Sequence, residues 1–247
     1  MLGIVKSELL KFKNTSGYIL VVVLPLLATI IGLTLGAGYE QNSANNYWLV
    51  FLFPIFISII SITCILREKK TNYQNILCLS IDLKDSWKGK IYSILVLSFI
   101  SNIIMMICTV VLGFISNNMI ISVGNGIVGY MLVFITTIWQ VPLIMTIARF
   151  IGYLPSIIGS FLINLLCSTI ITEKAYFFLN PFAIPARVVY PFFKTRVNGL
   201  PIEEGSKFLN TGCVIPGLIV AVIVTIISMK ISLNVYLKKG STNEGIK

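Results

Sequence analysis

Residues 18–37 read YILVVVLPLLATIIGLTLGA, an uninterrupted run without a single charge. Coiled as an α-helix at about 1.5 Å per residue, such a run reaches roughly 30 Å, the thickness of the hydrocarbon core of a bilayer. A strand of a membrane barrel would alternate apolar and polar residues, and this run does not. Because lipid offers no partner to an open strand edge, the run predicts a transmembrane helix in an all-helical, polytopic membrane protein. Five further runs follow, at approximately 47–66, 91–115, 127–148, 153–172 and 213–236. The composition agrees: 56% of the residues are hydrophobic and 11% charged, whereas a soluble domain has about a quarter charged. A single domain, 1–247, with six transmembrane helices is expected. The first run, 17–37, is too long for a secretory signal and follows a segment, 1–16, with a helical pattern of its own, so it is expected to stay attached.

The formal net charge is +10, with 19 Lys and Arg. Nucleic-acid binding and positive-inside topology both produce such an excess, and distribution separates them. With the N-terminus in the cytoplasm, 14 of the 19 fall inside: 3 in the tail, 6 in 67–90, Arg149, and 4 from Lys230 onward. The other side holds none in 38–46, none in 116–126 and 5 in 173–212. Both termini are expected to be cytoplasmic, near anionic membrane lipid, and the basic excess needs no nucleic acid.

No histidine occurs, which removes the commonest general base, the commonest metal ligand and the usual partner of a serine nucleophile. Glu203 and Glu204 form a pair, but in a segment outside the runs, where a solvated loop is the expected reading. Cys64, Cys108 and Cys167 lie in runs, Cys78 lies in 67–90, and Cys213 has no partner near the outer side, so neither a disulfide framework nor a zinc site is expected. None of the six runs contains Asp or Glu, which argues against coupling to an ion gradient. Lys230, the one charge within a run, can snorkel to the headgroups. No G-x-x-x-x-G-K-[ST] phosphate loop is present. The chain is therefore expected to have no catalytic residues and no cofactor or metal; if ATP drives it, another chain binds the ATP.

Ser58, Ser61, Thr63, Ser98, Ser101, Asn102, Gln140 and Asn164 are mild polar residues within the runs. They could line a polar path, and hydrogen bonding between helices explains them as well. Ala28, Gly32 and Gly36 recur every fourth residue and predict a packing seam, within this chain or to a partner.

Two cytoplasmic devices are expected. In MLGIVKSELLKFKN, Leu2, Val5, Leu9 and Phe12 share one helical stripe, with Lys6, Lys11 and Lys13 off it, as in a short amphipathic helix lying in the headgroup plane. In REKKTNYQNILCLSIDLKDSWKGK, residues 67–90, Tyr73, Ile76 and Leu77 fall on one side of a possible short helix. Asp82 then caps a second helix, with Asp85 in its first turn, running through Trp87 and Lys90 into the third span. Trp87 is expected half wet at the membrane interface. The segment reads either as a solvated positive-inside loop or as a hairpin presenting an apolar knob to a protein groove.

Residues 173–212 form the large outer element. Its prolines and the charges Arg187, Lys194 and Arg196 argue against a further span. Phe and Tyr beside Arg predict an amphipathic surface for lipid or for an amphipathic ligand resting in lipid.

SELLKFKNTSGY leading into a Pro-containing span, followed by REKKTNYQNILCLSIDLKDSWKGKI after the second, resembles the ABC-2 type permeases, the six-helix membrane subunits of ATP-binding-cassette exporters. In that family the glutamate after the second span and the short helix that follows dock on the ATPase. The resemblance places this contact at Glu68 and residues 71–81, with Tyr73, Ile76, Leu77 and Leu79, beside an N-terminal helix bearing Leu2, Val5, Leu9 and Phe12. The Leu-Ser-Leu-Pro-like ending common in that family reads LCLSIDL here, without the proline. NPFAIPARVVYPFF followed by NGLPIE is similar to the outer loop of lantibiotic-immunity permeases of the MutE/EpiE group, although FKTRV stands where further aliphatic residues are usual. The resemblance implies Phe182, Arg187, Tyr190, Phe192 and Arg196 as substrate-facing candidates. It further implies a bacterial cell membrane, a partner ATPase dimer carrying ATP and Mg, a second, homologous permease, and a cationic antimicrobial peptide as substrate. Export of another drug, lipid or peptide, and a non-transporting immunity or sensor protein, stay open as alternatives.

Overall fold

The computed structural model describes residues 1–13, 15–70 and 82–243, with residues 16, 68–70 and 239–243 described by backbone alone. Among these the chain is helical without a β-strand; Thr195 and Pro201 form an isolated antiparallel bridge. The helices are α1 (Leu2–Lys13), α2 (Ser16–Leu35), α3 (Glu40–Tyr47), α4 (Phe53–Lys70), α5 (Leu83–Ile115), α6 (Val123–Thr137), α7 (Gln140–Ile151), α8 (Tyr153–Ile170), α9 (Ile184–Phe193) and α10 (Val214–Asn243). A π-helical turn, Trp48–Leu52, joins α3 to α4.

Six segments of the described residues are long and apolar enough to cross a membrane: Gly17–Leu35, Glu40–Arg67, Leu83–Ile115, Val123–Ile151, Tyr153–Ile170 and Thr211–Lys238. They reproduce the six predicted runs. Burial sorts them into an interior and a rim. In an 18-residue apolar stretch of each, 67% and 61% of the residues are buried in the second and fourth spans, against 28%, 17% and 17% in the first, fifth and sixth. Ile19, Val22, Leu26, Ile30, Ile158, Leu162, Ile219 and Ile223 consequently point outward. In water so wide an apolar surface would drive aggregation; in lipid it is the matching solvent.

Local chemistry accounts for the boundaries. Asp82 caps α5 as predicted, its side chain accepting from the Lys84 backbone N–H at 3.0 Å. Ser122 caps α6 by accepting from the Asn125 N–H. Between α7 and α8 the chain reverses at Gly152 alone, with φ 87° and ψ −167°. Only glycine enters that region without strain.

The predicted small-residue seam lies within this chain. Ala28 is fully buried, and a Cβ added at Gly32 would stand 2.6 Å from the Ala44 Cβ and 2.8 Å from the Glu40 carbonyl oxygen. Its partner is α3, in a stretch the sequence reading left outside the spans, since 38–46 is too polar to resemble one. The correction has a physical reason: the buried amides of α3, Gln41, Asn42 and Asn45, are neutral and hydrogen-bond inside the protein, Asn42 Oδ1 alone among their atoms being buried without a partner. Gln41 donates to the Thr109 carbonyl at 2.9 Å and accepts from the Ile121 N–H at 2.9 Å. Asn42 donates to the Thr195 hydroxyl at 2.7 Å, and Asn45 accepts from the Tyr130 hydroxyl. These bonds gather α3, α5, α6 and residues 193–195 at one end of the bundle, the distal end.

Cross-helix hydrogen bonds explain most of the polar residues in the spans. Ser58 meets Ser160 at 2.5 Å, Ser101 donates to the Val21 carbonyl at 2.9 Å, Trp48 donates to Asn102 at 3.1 Å, and Gln140 donates to Asn164 at 3.0 Å. The hydroxyls of Ser61 and Ser98 are buried without a hydrogen-bond partner.

Gly32→Leu should force α2 away from α3, because even the first added carbon overlaps backbone. A loss of about 1 to 3 kcal/mol, the usual range for overpacking, is expected as a lower melting temperature in detergent; an unchanged melting temperature would show that the seam is not tightly packed.

Candidate functional site

At the other, basal, end the chain assembles charges. The apolar stripe of α1 turns out to be divided. Phe12 is fully buried, Val5 and Leu9 are half-buried, and Leu2 is exposed. The buried face of α1 instead carries Glu8, at 5% relative exposure. Sequence reading assigned this residue no role.

Glu8 Oε1 accepts from Lys90 Nζ at 3.0 Å and from Lys11 Nζ at 2.6 Å. Lys90 is completely buried at the start of α5. Close packing sets this geometry, for a Cβ on Gly89 would stand 2.5 Å from Ile4 Cγ2. Burial by itself would raise the Glu8 carboxyl, but the Lys90 charge and the hydrogen bonds from Lys11 and Lys90 outweigh it and hold the group below its ordinary value of 4.5. The signal available in sequence was a lone acid among lysines in a short amphipathic helix; its partner lies 82 positions away, which no local pattern reveals.

Further contacts bind the same end. The guanidinium of Arg67, closing the second span, lies over the Phe12 ring at 5.3 Å. Trp87 donates to the Ser232 hydroxyl at 3.2 Å and is 5% exposed. The expected half-wet interfacial indole is thus enclosed, because α10 supplies its polar partner. Arg149 donates to the Val235 carbonyl at 3.2 Å and lies over the Tyr236 ring at 5.4 Å. One short helix, α1, therefore grips both flanks of the charged segment 67–90, through Arg67 and through Lys90. The backbone of Glu68 continues α4; the Tyr73, Ile76, Leu77 and Leu79 assignments lie outside the described residues.

The candidates at the distal end divide into separate groups. Residues 173–212, expected as a surface element, contain α9, whose Ile184, Val188, Val189, Tyr190 and Phe193 are buried. The helix seats against α6 at Gly129, where a Cβ would meet the Phe193 ring at 2.2 Å. Arg187 lies over the rings of Phe177, Tyr190 and Phe208 at 5.7, 5.5 and 4.7 Å. Arg196 also lies over Phe208, at 5.4 Å. Tyr190, 1% exposed, accepts from the Val197 N–H at 3.3 Å, and burial pushes its phenol up. Phe182 packs apart from these, edge-on to Trp139 at 4.6 Å, and Phe192 is half-buried against the core.

The cage so formed is filled by its own side chains, which corrects the expected amphipathic surface of Arg, Tyr and Phe. The outward-facing residues include Tyr176, Phe178, Leu179 and Leu200, with the exposed acids Glu173, Glu203 and Glu204 and the exposed lysines Lys174, Lys194 and Lys207.

Glu8→Gln should leave the Lys90 ammonium in a dry site without its carboxylate and destabilise α1 docking by about 3 to 5 kcal/mol, whereas Glu8→Leu with Lys90→Leu should be close to neutral. Because the folded-state carboxyl is held below 4.5, its contribution is present at neutral pH and is lost as pH falls through that lowered value. Hydrogen exchange of residues 2–13 measures both effects. Equal protection in wild type and Glu8→Gln would refute them.

No family model, curated protein or solved structure matches this chain.

Proposed function

We propose that the chain is the membrane-spanning permease subunit of an ATP-binding-cassette exporter of the ABC-2 type. Both termini and residues 67–90 face the cytoplasm of a bacterial cell, and an ATPase dimer, which carries the ATP and Mg, docks on Glu68 and residues 71–81. A second, homologous permease completes the complex. The substrate is a cationic antimicrobial peptide of the lantibiotic type, expelled from the membrane to give immunity or resistance.

One observation carries the reading: α1 holds both flanks of the 67–90 segment, with Phe12 against Arg67 at 5.3 Å and Glu8 against Lys90 at 3.0 Å. A push on this segment would move α1, α4 and α5 together instead of dissipating in a loose loop. The dry ion pair makes the linkage resistant to salt, which screens exposed pairs far more. At the distal end, the exposed side chains of Tyr176, Phe178 and Leu179 suit the apolar face of an amphipathic peptide. Arg187 and Arg196 act there as struts for the aromatic cluster.

Co-expression with candidate ATPases, followed by co-purification and a peptide-killing assay, tests the proposal. Glu68→Ala combined with Leu77→Asp should lower ATPase association at least tenfold, about 1.4 kcal/mol, and abolish protection. Unchanged association and protection would remove the docking assignment. A panel of lantibiotics, other drugs and lipids then tests the substrate class.

A further inference from the structure

Three candidate spans begin or end at one level of the basal end: Gly17 opens the first, Arg67 closes the second and Tyr153 opens the fifth. At that level lies a cleft of about 290 Å³ lined, among the described residues, by Thr15, Thr63, Leu66, Arg67 and Tyr153. The ends of transmembrane helices mark the boundary between hydrocarbon and headgroups. The cleft therefore opens where a lipid changes from phosphate ester to acyl chain.

Arg67 is the chemically distinctive group there. Its guanidinium rests on the Phe12 ring, its Nη2 is buried without a hydrogen-bond partner, and no carboxylate among the described residues pairs with it. The contrast with Lys90, which is buried and answered by Glu8, is direct. A half-buried cation with a donor unspent at its buried side calls for an anion, and a guanidinium fits a phosphate through two parallel N–H bonds.

The rest of the lining suits the same ligand. Tyr153, 42% exposed, offers a phenolic donor at the rim. The Thr15 hydroxyl already donates to the Phe12 carbonyl at 2.8 Å, so it is left with lone pairs that accept from a headgroup hydroxyl. Leu66 and the methyl group of Thr63 form an apolar bed for the first carbons of a chain. A choline headgroup would bring a second cation toward Arg67, whereas an uncharged glycerol would not.

We propose that this cleft binds the phosphodiester headgroup of an anionic phospholipid, with Arg67 holding the phosphate. The site is independent of the exporter reading and stands whatever the chain transports.

The test uses the full chain in bilayers of equal parts phosphatidylglycerol and phosphatidylcholine, extracted gently, with retained lipids counted by native mass spectrometry. Wild type should retain phosphatidylglycerol in preference, and millimolar inorganic phosphate should not displace it. Arg67→Gln should reduce the preference about tenfold, corresponding to about 1.4 kcal/mol. Thr63→Trp, which fills the cleft and leaves the guanidinium in place, should do the same while helicity and melting temperature stay at wild-type values. If Arg67→Gln fails to fold, Thr63→Trp decides. Wild-type lipid preference in the folded variants overturns the site, and displacement by inorganic phosphate overturns its assignment to a lipid.

Discussion

Glu8 is a carboxylate cut off from water, and the basal end of the molecule is organised around it. Lys90 has no exposed surface at all, and a bare ammonium there would be unaffordable at the edge of a bilayer. The ion pair therefore acts as a condition on the fold: α5 can bury its first turns only with α1 laid across them. Once α1 is fixed, Phe12 receives Arg67 and the end of the second span is fixed too. Trp87 and Ser232 then bring in the last helix. Four parts of the chain meet because one charge must be answered.

The distal end solves the same problem with neutral groups. Gln41, Asn42 and Asn45 are each no more than 1% exposed, and their bonds reach carbonyls and hydroxyls on other elements. A neutral amide is far cheaper to bury than an ion, and a buried amide that satisfies backbone groups on two other segments fixes their register. Ile121 sits at a turn where no helix continues, so its N–H needs the oxygen that Gln41 supplies. The two ends thus differ in kind. The charged end is held by a close ion pair and cation–π contacts between residues far apart in sequence, the neutral end by amide hydrogen bonds distributed over several elements. Between them the spans pack mainly through apolar side chains and exposed apolar faces meet lipid.

Sequence legibility follows this division. The spans could be read because hydropathy is a local sum, and Ala28, Gly32 and Gly36 because helical period places them on one face. Asp82 was legible because capping is decided within a few residues. The partner of Glu8 was not, since an isolated acid in a basic helix normally points to water and only tertiary contact reverses that. Residues 40–46 were left outside the spans for a related reason: a hydropathy scale charges Gln and Asn for lost water and cannot credit the carbonyls that replace it. Helix α9 escaped because a run of ten residues with two prolines is too short for a span. Its aromatic residues looked like a surface only while the rings of Phe177 and Phe208 were unplaced around Arg187.

That last rearrangement changes what the distal face can recognise. An arginine free at a membrane surface repels a cationic ligand, but one enclosed by three rings has its charge partly balanced by their π faces and serves as scaffold. With Arg187 and Arg196 packed over Phe208, the groups left exposed are the carboxylates of Glu173, Glu203 and Glu204, the ammonium groups of Lys174, Lys194 and Lys207, and the apolar side chains of Tyr176, Phe178 and Leu179. The exposed charge of this face is thus balanced, three carboxylates against three lysines, and what distinguishes it is its greasy side chains, although the chain as a whole carries +10. The apolar face of a cationic amphipathic peptide would find apolar partners there without a net exposed charge to oppose it, whereas its cations would meet repulsion at the lysine-rich basal end. A difference of that sense between the two ends favours arrival at the distal one, through apolar contact there and charge repulsion at the other.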